Sequence, residues 1–141
     1  MLDLVIILFG FSVLLVATIK DFKSKTIPNW LTLGSILCLV FYRLFEGNFL
    51  QYFTAFAYVG MTFTLLSWLT KEAIGGGDIK LFLALSLICG LQNIFLVIVM
   101  SFVMAFLVSI TVCKKEVELI LAPFILVSYT ILTILERWVV V

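Results

Sequence analysis

No charged residue occurs between Lys80 and Lys114, and this uncharged stretch is the feature that most limits what the chain can fold into. A helix of about 20 residues crosses the hydrocarbon layer of a bilayer, so the stretch is too long for a single crossing. Gly90-Leu91-Gln92-Asn93 is the natural turn within it, because glycine and polar residues favour turns. The stretch therefore predicts two membrane helices joined at these four residues, the first of them short.

The rest of the chain has the same apolar character. Hydrophobic residues make up 65% and charged residues 12% of the 141 residues, and the mean hydropathy is +1.32. These values exclude an ordinary water-soluble domain and predict one integral-membrane domain over residues 1–141. We expect an all-α polytopic protein with about six transmembrane helices. The apolar segments that predict these helices are Leu4–Ile19, Trp30–Phe45, Tyr52–Leu69, Ile79–Cys89, Ile94–Cys113 and Val117–Val140.

Lysine and arginine are distributed unequally between alternate connections, which predicts the orientation. Cytoplasmic loops are enriched in these two residues, so the side that carries more of them is predicted to face the cytoplasm. With six helices, both termini are then extracytoplasmic, in a multi-pass protein of the inner (cytoplasmic) membrane. Asp21 and Asp78 both fall on the cytoplasmic side. That side carries Lys20, Lys23, Lys25, Lys71, Lys80, Lys114 and Lys115, and the other side carries Arg43 and Arg137.

Several classes of partner are disfavoured by composition. The formal net charge is +1, whereas a nucleic-acid-binding protein needs a concentrated basic face. The chain has no histidine, and its three cysteines are far apart without a Cys-x-x-Cys pair. We therefore expect a lipid bilayer and a protein substrate as partners, with no nucleic acid, metal or other cofactor. The oligomeric state is left open by the sequence.

Asp21 and Asp78 lie in or beside predicted membrane helices, where an ionised carboxylate costs free energy. An ionised acid near the centre of a spanning helix costs roughly 2.5–3.5 kcal/mol, so acids in or beside spans point to function. Two acids at one membrane face predict paired-carboxylate chemistry, in which they share one proton and activate a water molecule. One alternative is a small transporter that uses the same acids to carry protons or cations. Another is that Asp21 is an exposed interfacial acid balanced by the neighbouring lysines.

The residues around these acids suggest how a site could be shaped. Gly75-Gly76-Gly77, directly before Asp78, is interpreted either as a flexible loop or as a place where a substrate backbone comes close. Lys80 is expected to stabilise an ionised carboxylate or to meet a lipid phosphate. Pro28 and Asn29 suit the start of the second helix.

Together these motifs resemble the type IV prepilin peptidase family of integral-membrane aspartic proteases. The resemblance is carried by Asp21 followed by Ile27-Pro28-Asn29, and by Gly75-x-Gly77-Asp78-x-Lys80. Leu121-Ala122-Pro123-Phe124 is similar to a proline-phenylalanine signature found late in that family. The resemblance implies that Asp21 and Asp78 are the catalytic pair. It also implies that Gly75, Gly76, Gly77, Lys80, Pro28 and Asn29 shape the site or bind substrate.

The resemblance also implies a substrate. It indicates a prepilin or pseudopilin precursor whose basic leader is removed at the cytoplasmic membrane face. The chain lacks the extra cytoplasmic region and cysteine pairs that accompany methyltransferase activity in larger family members, so no N-methylation is expected. An archaeal-type preflagellin peptidase is an alternative that would share the two acids. Helix termini suggest Asp78 as the initial base and Asp21 as the acid, because a helix N-terminus favours negative charge and a C-terminus opposes it.

Overall fold

The computed structural model describes residues 2–24, 27–69, 75–112 and 121–140, and nearly all of these residues are helical. No strand occurs among them, so the prediction of an all-α fold is confirmed for the described part of the chain. The helices are α1 (Leu2–Ser24), α2 (Asn29–Glu46), α3 (Phe49–Leu69), α4 (Gly76–Val112) and α5 (Ala122–Val140).

Three of the described helices are long and apolar enough to cross a membrane. These candidate spans are Leu4–Ser24, Phe49–Leu69 and Gly76–Ile110, and a shorter apolar helix covers Ala122–Glu136. A helix satisfies its own backbone hydrogen bonds, which is the requirement that lipid imposes on any spanning segment. The structure therefore supports a helical membrane protein, whereas the number of six crossings stays a prediction.

The long helix α4 is folded back on itself at Gly90. This glycine has φ 73° and ψ 178°, outside the helical region. The ring centroids of Phe82 and Phe102 lie 6.2 Å apart, whereas about 20 residues of straight helix would separate them by about 30 Å. α4 therefore consists of two antiparallel arms, residues 76–89 and 91–112, called here the first and second arms. The predicted division of the uncharged stretch is confirmed, but Gly90 alone makes the turn, because residues 91–93 are helical.

Gly90→Ala is expected to destabilise the protein by about 1–3 kcal/mol, because this backbone conformation is essentially restricted to glycine. Gly34→Ala is the matched control: Gly34 is helical, and a Cβ added there meets nothing within 4 Å. Thermal unfolding of both variants in the same detergent measures the difference. A Gly90→Ala variant as stable as Gly34→Ala would contradict the sharp turn.

The first arm of α4 lies at the centre of the bundle. Leu81, Phe82 and Leu85 are almost completely buried, and every other helix contacts α4. The Phe63 ring of α3 stacks on Phe82 at 5.0 Å and lies 6.4 Å from Phe102 of the second arm. Within a membrane such contacts stabilise a bundle through close packing. The first arm, which carries Asp78 in its first turn, is therefore packed against its neighbours in the bundle.

Arg43 of α2 binds the C-terminal end of the first arm. The sequence predicts Arg43 to be a loop cation, but in the structure this residue is 3% exposed. Its Nε donates to the carbonyl of Leu87 at 3.0 Å and its Nη2 to the carbonyl of Ile88 at 3.2 Å. The break at Gly90 leaves these carbonyls without their usual helical partners, and a cation at a helix C-terminus is favourable. Arg43 thus acts as a side-chain cap for the end of the first arm.

The start of α1 and the end of α5 lie at this same end of the bundle. The Tyr129 hydroxyl donates to the carbonyl of Ile7 at 3.3 Å, and the Asn93 amide hydrogen-bonds Glu136. The location of both termini on the extracytoplasmic side of the membrane stays a prediction. Of the residues used to predict orientation, Lys25, Lys71, Lys114, Lys115 and the side chain of Arg137 lie outside the described residues.

Candidate active site

Asp21 lies in the last turn of α1. This helix continues to Ser24, past the end predicted at Ile19. The residue is 8% exposed. The backbone N–H of Ala122, the first residue of α5, donates to its carboxylate. A buried acid with a built hydrogen-bond partner does not fit the alternative of an exposed interfacial charge, so that interpretation is wrong.

Asp78 lies in the first turn of α4. The N–H groups of Asp78 and Ile79 donate to the carbonyl of Gly75 at 3.0 and 3.3 Å, and these bonds begin the helix. The Asp78 carboxylate turns back towards Gly75, where an added Cβ would lie 3.3 Å from Oδ2. Gly75 therefore leaves space for the acid, which is half-buried.

The two acids are brought together from distant parts of the sequence. Asp21 and Asp78 lie close enough for the charge of Asp21 to act on Asp78. Asp21 accepts a hydrogen bond from the N-terminus of α5, and Asp78 belongs to the N-terminal turn of α4. Two helix N-termini supply partial positive charge, which offsets the repulsion between neighbouring acids. Each of the two acids thus has a helix N-terminus beside it, and the assignment of Asp78 as the initial base and Asp21 as the acid stays a prediction.

Each of the three glycines before Asp78 has a different environment. A Cβ added to Gly77 would lie 3.0 Å from Cβ and 3.2 Å from Cδ1 of Ile27. A Cβ at Gly76 would meet nothing within 4 Å, whereas Gly75 faces Asp78. Gly77 therefore permits the chain before α2 to pack closely on the first turn of α4, and Gly76 is left open beside the acids.

Pro28 and Asn29 continue this close contact. The carbonyl of Pro28 accepts the N–H of Leu31 at 3.1 Å, which begins α2. The Nζ of Lys80 donates to Oδ1 of Asn29 at 2.6 Å. Two residues predicted for the site are thus joined directly. The described partner of Lys80 is an amide, where the sequence suggested a carboxylate or a phosphate.

The Lys80–Asn29 hydrogen bond can be measured with a double-mutant cycle of Lys80→Ala and Asn29→Ala. We expect a coupling of about 0.5–1.5 kcal/mol in the free energy of unfolding, as for a hydrogen bond that is partly open to solvent. Denaturant unfolding of the two single variants and the double variant gives this value. Strict additivity would show that the bond does not link the two segments.

Ala122 is the site residue that sequence reasoning missed. The carbonyl of Leu121 accepts the N–H groups of Phe124 and Ile125 at 3.0 and 3.1 Å, which starts α5 and directs the Ala122 backbone towards Asp21. Ala122 contributes only a backbone N–H, so its side chain carries no chemical signal. The available signal was Pro123, since proline is favoured in a first helical turn.

A comparison with known families agrees with this geometry. The sequence model of the type IV leader peptidase family matches residues 8–110. The matched range contains both acids, the three glycines and the Lys80–Asn29 pair. No curated protein and no solved structure matches the chain.

Proposed function

The chain belongs to the type IV leader peptidase family, and from that premise we propose that it is an aspartic endopeptidase with Asp21 and Asp78 as its catalytic pair. Family membership makes it a peptidase that acts on a protein substrate in a membrane environment. The finer proposal is supported chiefly by one observation: Asp21 in the last turn of α1 and Asp78 in the first turn of α4 lie near each other at one end of the helix bundle.

The proposed chemistry needs only the two carboxyl groups and water. The ionised acid takes a proton from a water molecule as its oxygen attacks the carbonyl carbon of the scissile bond. The protonated acid donates a hydrogen bond to the carbonyl oxygen, which stabilises the oxyanion of the tetrahedral intermediate, and keeps its proton. When the tetrahedral intermediate collapses, the C–N bond breaks and the leaving amine takes a proton from the acid that accepted one. The N-termini of α4 and α5 stabilise negative charge on the pair throughout.

The proposed substrate is a prepilin or pseudopilin precursor with a short basic leader before an apolar helix. The junction between such a leader and its helix lies at a membrane surface, and the location of the two acids in terminal turns of α1 and α4 supports a proposed position at the same surface. Lys20, Lys23 and Lys80 lie near this end, so it is proposed to face the cytoplasm, in the inner membrane.

A cleavage assay tests this proposal. Purified protein in lipid vesicles is mixed with a leader-bearing precursor, and the products are identified by mass spectrometry. We expect a cut at the end of the leader, and no methylated product when S-adenosylmethionine is added. A folded protein that leaves every such precursor intact would overturn the proposed substrate. A precursor with a preflagellin leader is tested in parallel. The archaeal-type alternative predicts that this leader is cut faster than the prepilin leader.

The transporter alternative has less support. A relay requires ionisable groups through the depth of the membrane. In the described helices, Asp, Glu, Lys and Arg residues lie only near the ends of the bundle. The paired acids are therefore better suited to chemistry at one surface than to transfer across the bundle.

A further inference from the structure

A half-polar cavity of about 190 Å³ lies at the Gly90 end of the bundle, opposite Asp21 and Asp78. We call it the Arg43 cavity. Ile6, Ile7, Ile88 and Leu132 form part of its apolar wall. Its polar lining consists of Arg43, Tyr52, Asn93, Tyr129, Thr133 and Glu136.

Arg43 is fixed by several contacts, but these contacts do not use all of its N–H donors. Its guanidinium bonds two carbonyls of the first arm and pairs with Glu46. The Tyr52 ring lies 3.4 Å from its central carbon. A guanidinium has five N–H donors, and the contacts found among the described residues use three of them. A buried, fixed cation can therefore still donate to an anionic group in the cavity.

Glu136 supplies the opposite charge. Its carboxylate accepts a hydrogen bond from the Asn93 amide, and no ion pair to it is found among the described side chains. Arg43 and Glu136 are the two charged residues in the lining of the cavity, so the lining carries one charge of each sign. The cavity thus offers a place for a cation beside a place for an anion.

The size and position of the cavity narrow the choice of ligand. At about 30 Å³ for each water molecule, its volume equals that of about six waters, enough for a small polar group. Its lining includes Ile6 and Ile7 near the start of the candidate span Leu4–Ser24, and Tyr52 near the start of the candidate span Phe49–Leu69. The ends of spanning helices are where a bilayer has its headgroups. We propose that the Arg43 cavity binds the phosphate–ammonium headgroup of a phospholipid, with the phosphate on Arg43 and a primary ammonium on Glu136.

The test measures melting temperature in detergent with added short-chain lipids, and it does not depend on peptidase activity. Short-chain phosphatidylethanolamine well above its dissociation constant should raise the melting temperature by about 3 °C or more. Phosphatidylcholine of equal chain length should raise the melting temperature much less. Its ammonium group carries three methyl groups in place of the N–H groups whose hydrogen bonds Glu136 would accept. Free phosphoethanolamine distinguishes a membrane lipid from a soluble ligand, and we expect it to bind more weakly.

Glu136→Gln should remove the preference for phosphatidylethanolamine, and its exposed position makes a folded variant expected. Gln51→Lys is the matched control, because it changes the charge by the same amount at an exposed position of this end. It should keep the preference. Equal stabilisation by both lipids, or an unchanged preference in Glu136→Gln, would overturn the proposal. Binding of the free headgroup as tight as that of the lipid would overturn the assignment to a membrane lipid.

Discussion

Asp21→Asn and Asp78→Asn are each expected to abolish leader cleavage while leaving the protein folded. Asparagine keeps the shape of aspartate, but it can neither accept a proton from water nor share one with its neighbour. A positioned acid or base contributes about 10²–10⁴-fold to a rate, so each variant should lose at least that much. Product formation by purified protein, followed by mass spectrometry, measures the loss, and a melting temperature establishes folding.

Glu46→Gln is the matched control for these two variants. It makes the same change of charge in an acid at the opposite end of the bundle, where Glu46 pairs with Arg43. Its cleavage rate should equal that of the unmodified protein. A near-normal rate in either asparagine variant would remove that residue from the catalytic pair.

Gly77→Val is expected to reduce the rate of leader cleavage about 10- to 100-fold, although both catalytic acids are left unchanged. A Cβ at Gly77 lies only 3.0 Å from the Cβ of Ile27, so the segment before α2 must move away from the first turn of α4. Overpacking of this kind typically costs about 1–3 kcal/mol, and that strain would fall on the backbone that carries Asp78. The measurement is the cleavage rate of the purified variant together with its melting temperature.

Two further variants separate steric overlap from the loss of a glycine. Gly76→Val makes the same substitution at the neighbouring position, where an added Cβ meets nothing within 4 Å, so its melting temperature should stay near normal. Ile27→Gly combined with Gly77→Val removes the Cβ, Cγ1 and Cδ1 atoms in conflict and should recover part of the lost activity. If this double variant is no better than Gly77→Val alone, close packing against Ile27 is not the reason for the glycine.

Much of the fold could be predicted because lipid leaves a chain few choices. The uncharged stretch after Lys80 is too long for one crossing, and Gly90 and its polar neighbours favour a turn within it. The two acids were recognisable for the same reason, since a carboxylate beside a span is costly. The features that could be predicted are therefore those that the low polarity of the lipid imposes on the chain.

The contacts that could not be predicted join residues far apart in the chain. Arg43 looked like a loop cation because its partners, the carbonyls of Leu87 and Ile88, are freed only by the break at Gly90. An exposed Asp21 remained an alternative at the level of the sequence because the N–H that binds this acid belongs to Ala122. In both cases one partner is a backbone group, which leaves no trace in residue type.

The meeting of Asp21 and Asp78 is tested most directly by thiol cross-linking. In a background with Cys38, Cys89 and Cys113 replaced by alanine, Asp21→Cys and Asp78→Cys are combined and treated in membranes with a short bifunctional thiol reagent. Asp21→Cys with Gln92→Cys is the control, because Gln92 lies at the Gly90 end. We predict an efficient intramolecular cross-link in the first pair and none in the control. Two reactive thiols at positions 21 and 78 that fail to cross-link would contradict a shared active site.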